Sequence, residues 1–241
     1  MKPDIKIFDS VEILVQTLSD SFIKMISESE PNDVHVALSG GSTPRLFFQQ
    51  LAEDGKNASW QKVQFYWGDE RCVPPDHPDS NFGMTKMYLF SKIDIPDQNL
   101  HRIRGETDPV IEAERYSRHL LQSITKYENS YPVFDWIILG LGEDGHTASI
   151  FPKDEKVIQS AKICEVAEHP QTGQQRITLT LPVINSADRI SFLVTGTGKS
   201  KIIKEILSTT DTEKIYPAAM IQSNKNAVEW YMDKDAASSI L

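Results

Sequence analysis

Residues 139–152 read LGLGEDGHTASIFP. Glu143, Asp144 and His146 sit there among glycines, directly after the apolar run from Phe134 to Leu139. An imidazole ordinarily titrates near about 6.5, so a histidine can be a neutral base at cellular pH. Asp144 could orient the ring or stabilise its cation. A turn with incidental charges, a metal site and a nucleotide loop are the competing readings. The metal reading is weak, because His35, His77, His101, His119 and His169 show no HExxH or HxH spacing. Cys72 and Cys164 form no CxxC pair, which argues against zinc and against a disulfide framework. With no GxSxG elbow in the chain, water rather than a side chain is the expected nucleophile.

Three other polar loops carry chemistry-bearing residues. Ser39-Gly40-Gly41-Ser42-Thr43-Pro44 precedes a helical pattern. Small residues and free N–H groups at a helix start suit an anion, although a tight strand-to-helix turn needs the same residues. Gly68-Asp69-Glu70-Arg71-Cys72 offers either a local ion pair or, through Arg71, a forked donor for phosphate or carboxylate. Thr195-Gly-Thr-Gly-Lys-Ser200 is reminiscent of a phosphate-binding P-loop, but such a loop needs glycine six residues before its lysine, and Leu193 stands there. Lys199 is left as a surface lysine or a phosphate partner near a helix start.

The elements that must hold these loops are apolar runs alternating with helical patterns. Strands are expected at Ile5–Phe8, Val34–Leu38, Val63–Trp67, Phe134–Leu139, Lys162–Val166, Ile177–Leu181, Ile190–Val194 and Ala227–Tyr231. Asp9 to Glu12 reads as a capping box for a helix with a stripe of Val11, Leu14, Val15, Leu18, Phe22 and Ile26. Thr43 is placed to cap the next helix, with Pro44 at its first position. Asp108 and Pro109 open another helix to about Lys126, Lys201–Leu207 forms one more, and a short terminal helix ends the chain. Pro74, Pro75 and Pro78 rule out regular structure between. Alternation of this kind implies right-handed crossovers and an α/β fold. The expected architecture is a mostly parallel, open, twisted, Rossmann-like sheet flanked by helices. The strands near Lys162 and Ile177 form a small additional antiparallel β element. No repeat or linker divides residues 1–241, so one domain is expected. In such a sheet, ligands bind beyond the carboxyl ends of the strands, and all four polar loops fall on that edge.

The 241 residues carry a formal net charge of −9 with 39% hydrophobic residues. That allows a sizeable core and disfavours a nucleic-acid or acidic-membrane partner, because phosphate-rich surfaces need a basic footprint. The N-terminus has no signal-peptide pattern, and no apolar run reaches the roughly 18 residues of a membrane helix. A soluble, cytoplasmic chain in a reducing compartment is expected.

Five segments in order resemble a known family: Ala37-Leu-Ser-Gly-Gly-Ser-Thr-Pro44; Trp67-Gly-Asp-Glu-Arg-Cys-Val73 with Ser80-Asn81; Leu139 to Pro152; Arg176-Ile-Thr-Leu-Thr-Leu-Pro182; and Gly196-Thr-Gly-Lys199. Together, over nearly the whole chain, they resemble the 6-phosphogluconolactonases of the pentose phosphate pathway. The related glucosamine-6-phosphate deaminases share the DGH motif. Their pattern has DEY where this chain has Asp69-Glu70-Arg71, and a DGHIAFNEP-like stretch where it has DGHTASIFP. The resemblance implies hydrolysis of a sugar-phosphate lactone, with no metal and no organic cofactor. It implies His146 and Asp144 as catalytic residues. Ser39, Gly40, Gly41, Ser42, Thr43, Asp69, Arg71, Arg176 and Lys199 would bind the substrate and its phosphate. A sugar-phosphate isomerase on the same scaffold and a non-catalytic sugar-phosphate binding protein are the alternatives. The sequence leaves the oligomeric state open, with a monomer as the expectation, and Glu143 is expected to be solvated.

Overall fold

The computed structural model describes residues 2–29, 33–208, 216–223 and 225–241. The first half of the chain runs β1 (Asp4–Phe8), α1 (Val11–Glu28), β2 (Val34–Leu38), α2 (Ser42–Asp54), β3 (Val63–Trp67), β4 (Asp69–Arg71), α3 (Asn81–Tyr88) and α4 (Pro109–Ser123). The second half runs β5 (Tyr127–Glu128), β6 (Tyr131–Pro132), β7 (Trp136–Leu139), α5 (Glu155–Ile158), β8 (Cys164–Glu168), β9 (Gln175–Leu179), α6 (Leu181–Asn185), β10 (Ile190–Val194), α7 (Ser200–Ser208), β11 (Glu229–Asp233) and α8 (Lys234–Ala237). Short 3-10 turns link several of them, including Thr197–Lys199 and Pro217–Met220.

Six parallel strands form the central sheet in the order β1-β11-β10-β7-β2-β3. Helices flank this sheet, giving the expected α/β class. β7 and β10 are buried along their whole length, and β2 and β3 nearly so, as expected of strands covered on both faces. The order carries the functional geometry. From β2 the chain moves outward to β3, whereas from β7 it moves the other way to β10. The loops after β2 and β7 therefore diverge from neighbouring strands and leave a crevice, the usual ligand position in an open α/β sheet.

β4, β9 and β8 form a separate antiparallel sheet. The added β element is thus present, but it recruits Asp69–Arg71, which the sequence pattern presents as loop. Pairing to β9 makes the difference: Asp69, Glu70 and Arg71 face Thr178, Ile177 and Arg176 across the ladder. β9 begins at Gln175 and ends at Leu179, because Leu181-Pro182 opens α6 instead.

Several local expectations shift. Ser10 rather than Asp9 caps α1, accepting from the Ile13 N–H at 3.4 Å, while Asp9 pairs with Lys234 at 2.7 Å. α2 starts at Ser42, two residues before Pro44, where Gly41 with φ of 114° turns the chain. Thr43 is freed from capping, and its hydroxyl bonds that of Thr195 at 2.7 Å. Asp108 does cap α4, but that helix stops at Ser123 because Ile124 turns extended and buries itself. β7 begins at Trp136, since Asp135 turns its carboxylate to the His35 N–H at 2.8 Å. The helix α3 after Ser80 was not anticipated. The core beneath the crevice is aromatic: Phe22 packs on Phe47, Trp60, Phe65 and Trp136.

Candidate active site

The crevice at the carboxyl ends of β2, β3 and β7 holds a cleft of about 210 Å³. Ser39, Gly40, Gly41, Asp69, Arg71, Asn81, His146, Arg176 and Lys199 are on its wall. A second lobe of about 170 Å³ shares Gly40, Gly41 and Lys199, and adds Ser42, Thr43 and Thr195. Asp144 stands behind His146 and completes the set. The structure therefore brings the candidate catalytic and substrate-binding residues to one strand-end site.

The loop after β2 supplies backbone. The first N–H groups of a helix have no partner within it, and α2 presents them to the second lobe. Ser39 is buried, and its hydroxyl has no partner among the described residues. Gly40 is demanded by packing: a Cβ there would lie 1.8 Å from Asn81 Oδ1.

β4 sorts its residues by the two-residue strand period. Asp69 and Arg71 line the cleft, and Glu70 points away. Glu70 accepts from the backbone N–H groups of Arg71, Asn81 and Phe82, each at 2.8 Å, and from the Ser80 hydroxyl at 3.1 Å. Burial raises its pKa against those bonds. Its work is to fix the start of α3, and with it Asn81. The Asn81 amide donates to Asp69 O at 2.9 Å, and Ser149 Oγ donates to Asp69 Oδ2 at 2.6 Å. The sequence shows Asn81 beside Ser80 but gives it no role. A polar residue just after a capping serine and close in sequence to the GDER segment was the available signal.

Arg71 and Arg176 are cross-strand partners. Each has a buried Nε with no partner among the described residues. Arg71 donates through Nη1 to Asp79 O at 2.6 Å, and Arg176 lies 5.5 Å from the Phe151 ring centre. Burial lowers the Arg176 pKa, Asp69 opposes the shift, and Arg71 adds to it. Two neighbouring guanidinium groups with unfilled donors make an anion-seeking wall.

The loop after β7 holds the base candidate. His146 Nδ1 lies 2.5 Å from Asp144 Oδ1, which also accepts the His146 backbone N–H at 3.1 Å. Placing the ring proton on Nδ1 satisfies the carboxylate and leaves Nε2 with the lone pair. For Asp144, burial works against ionisation, but the hydrogen bond and charge of His146 outweigh it and hold the pKa down at about 2. The loop closes on itself through Gly142 N–H to His146 O at 2.8 Å and Thr147 Oγ1 to Gly140 O at 2.9 Å. Ala148 adopts φ 48°, a left-handed conformation costing about 1–2 kcal/mol for an L residue. Ser149, bonded through its N–H to Thr178 and through its hydroxyl to Asp69, holds it there. Backbone strain of this kind collects at functional sites.

Lys199 ends the 3-10 turn before α7 and is half-buried. Burial lowers its pKa, with the charges of Glu143 and Asp144 pulling the other way. Glu143 is exposed, as expected. Among the described residues no cluster of three His, Cys, Asp or Glu side chains is arranged to hold a metal ion. No helix among them is long and apolar enough to cross a membrane.

A sequence profile described as glucosamine-6-phosphate isomerases/6-phosphogluconolactonase matches residues 9–230. A 6-phosphogluconolactonase of Aggregatibacter actinomycetemcomitans is 43% identical, over 95% of this chain and 97% of its own. The crystal structure of a devB protein superposes with a TM-score of 0.94 at 44% identity, covering 99% of both chains. The 6-phosphogluconolactonase of Trypanosoma brucei superposes with a TM-score of 0.89 at 29% identity, covering 100% of this chain and 99% of its own.

Proposed function

The chain belongs to the glucosamine-6-phosphate isomerase/6-phosphogluconolactonase family, and from that premise we propose how its own residues act. It is a 6-phosphogluconolactonase, hydrolysing 6-phospho-D-glucono-1,5-lactone to 6-phosphogluconate in the pentose phosphate pathway. Residues 1–241 work as one unit, as a monomer in the cytoplasm, and need neither metal nor organic cofactor.

The substrate has a phosphate at one end and an ester carbonyl at the other. The phosphate lies against the N-terminus of α2, with the backbone of Ser39, Gly40, Gly41, Ser42 and Thr43, and takes charge from Lys199, Arg71 and Arg176. Each charge-assisted bond contributes about 1.5–3 kcal/mol. Asp69 and Asn81, tied to each other, offer hydrogen bonds to the sugar hydroxyls. Neutral His146 takes a proton at Nε2 from a water molecule as the water oxygen attacks C1. The negative charge that builds on the carbonyl oxygen develops in a cleft walled by cations. When the bond from C1 to the ring oxygen breaks, the imidazolium returns its proton to that oxygen. Asp144 stabilises the cation and keeps Nε2 aimed. General-base help of this kind is worth about 10²–10⁴-fold, and clamping the phosphate adds positioning.

The observation that carries the reading is the His146–Asp144 pair at 2.5 Å, opening on the cleft that Arg71, Arg176 and Lys199 share. The test is an assay with lactone generated in situ and corrected for spontaneous hydrolysis, run beside one for ammonia release from glucosamine-6-phosphate. Lactone turnover without ammonia is expected. Ammonia release without lactonase activity would refute the assignment.

A further inference from the structure

The loop that carries His146 is held from outside by a residue that does not line the cleft. Gly145, immediately before His146, has φ 82° and is buried. Tyr216 covers it. A Cβ on Gly145 would lie 2.6 Å from Tyr216 Cδ1, 2.9 Å from Cγ and 3.0 Å from Cβ. The contact is doubled in the backbone, because the Ala218 N–H donates to Gly145 O at 3.1 Å. The Tyr216 hydroxyl donates to Glu205, on the helix α7 that begins just after Lys199. One side chain thus spans the helix behind the clamp lysine and the peptide that precedes the base.

We propose that Tyr216 is a positioning residue for the lactonase reaction: its ring braces the Gly145 peptide and so fixes the Asp144–His146 pair against the cleft. This rests on the reading of His146 as the base. The loop already carries Ala148 in a left-handed conformation, so an outer support keeps it from relaxing. Without the ring, Gly145 regains conformations that swing His146 off the line of attack. A misplacement of about 1 Å costs about 100-fold in rate. Phosphate binding depends on the loop after β2, Lys199 and the two arginines, and Tyr216 lines neither lobe of the cleft that they share, so the loss belongs to kcat.

Four variants test this: Tyr216→Phe, Tyr216→Ala, Gly145→Ala and the double variant Tyr216→Ala/Gly145→Ala. Each is measured for kcat and KM, with rates normalised to the stoichiometry of 6-phosphogluconate binding by calorimetry, which counts folded sites. Tyr216→Ala is expected to lose about 10- to 100-fold in kcat with KM within about threefold. Tyr216→Phe keeps the ring and should lose no more than about fivefold, the worth of one modest hydrogen bond. Gly145→Ala drives a methyl into the ring, so its penalty should shrink in the Tyr216→Ala background. Wild-type kcat per binding site in Tyr216→Ala would overturn the proposal, as would a loss confined to KM or strictly additive effects in the double variant. His146→Ala, run in parallel, separates the two failures. If it stays active, the base reading falls; if it is inactive while Tyr216→Ala turns over normally, only the brace falls.

Discussion

Replacing Gly142 by alanine should impair the site while every charged and catalytic residue keeps its identity. The new Cβ would lie 2.1 Å from His146 Nδ1, 2.3 Å from His146 Cε1 and 2.6 Å from Asp144 Oδ1, where ordinary contact begins near 3.4 Å. The imidazole must therefore retreat by more than about 1 Å, and it cannot do so while keeping its bond to Asp144. Gly142 is not among the residues with positive φ, so alanine adds no backbone strain of its own. The loop stays closed through the Gly142 N–H to His146 O. Displacement by about 1 Å corresponds to about 100-fold in rate, or about 2.7 kcal/mol of transition-state stabilisation. The clamp is built from other loops, so KM should stay within about threefold. The assay is initial-rate hydrolysis of lactone made in situ, with thermal melts to verify folding. A folded Gly142→Ala enzyme with kcat within about twofold of wild type would show that the position of His146 does not set the rate.

Other outcomes follow from the same geometry. Lys199→Ala should weaken 6-phosphogluconate binding by about 10- to 150-fold, the worth of one charge-assisted bond, as read by calorimetry. Asp144 keeps its charge down to about pH 2 in the folded chain against an ordinary 3.8. Its contribution to stability is therefore complete above about pH 4 and fades as pH falls toward 2, and it is modest because the side chain is half-exposed. Urea titrations of wild type and Asp144→Asn should converge over that window. His101 moves stability in the same direction, over a higher pH window. Burial, aided by His119 and His35, pushes its pKa down to about 4 from 6.5. The unfolded chain takes that proton first as pH falls, so stability should decline from about pH 6.5 to 4 and flatten below, and His101→Gln should make the slope shallower. Dialysis against EDTA should leave the lactonase rate unchanged; a loss restored by a divalent cation would contradict the proposed chemistry.

The sequence disclosed the frame of the fold well and its joints poorly. Val34–Leu38, Val63–Trp67 and Ile190–Val194 are strands with the expected limits, because apolar runs buried on both faces leave a plain signature. Asp69–Arg71 is not legible as a strand, since three charged residues form one only through pairing with β9. The cap of α1 slipped by one residue and the start of α2 by two. Both ends are set by tertiary partners, Lys234 for Asp9 and Thr195 for Thr43. All the candidate site residues meet at one edge, because each follows a strand or lies on β4 and β9 beside that edge. What stayed hidden is what fixes them: Asn81 against Gly40, Ser149 on Asp69, and Tyr216 on Gly145. Those contacts join residues at least 40 positions apart, and no local pattern announces them.

The central claim is that neutral His146 activates water. Steady-state lactonase kinetics of His146→Ala, with 6-phosphogluconate affinity measured on the same protein, test it most directly. The account predicts that kcat falls by about 10²–10⁴-fold while product affinity stays within about threefold. A variant that binds product normally and turns over within a few-fold of wild type would contradict it.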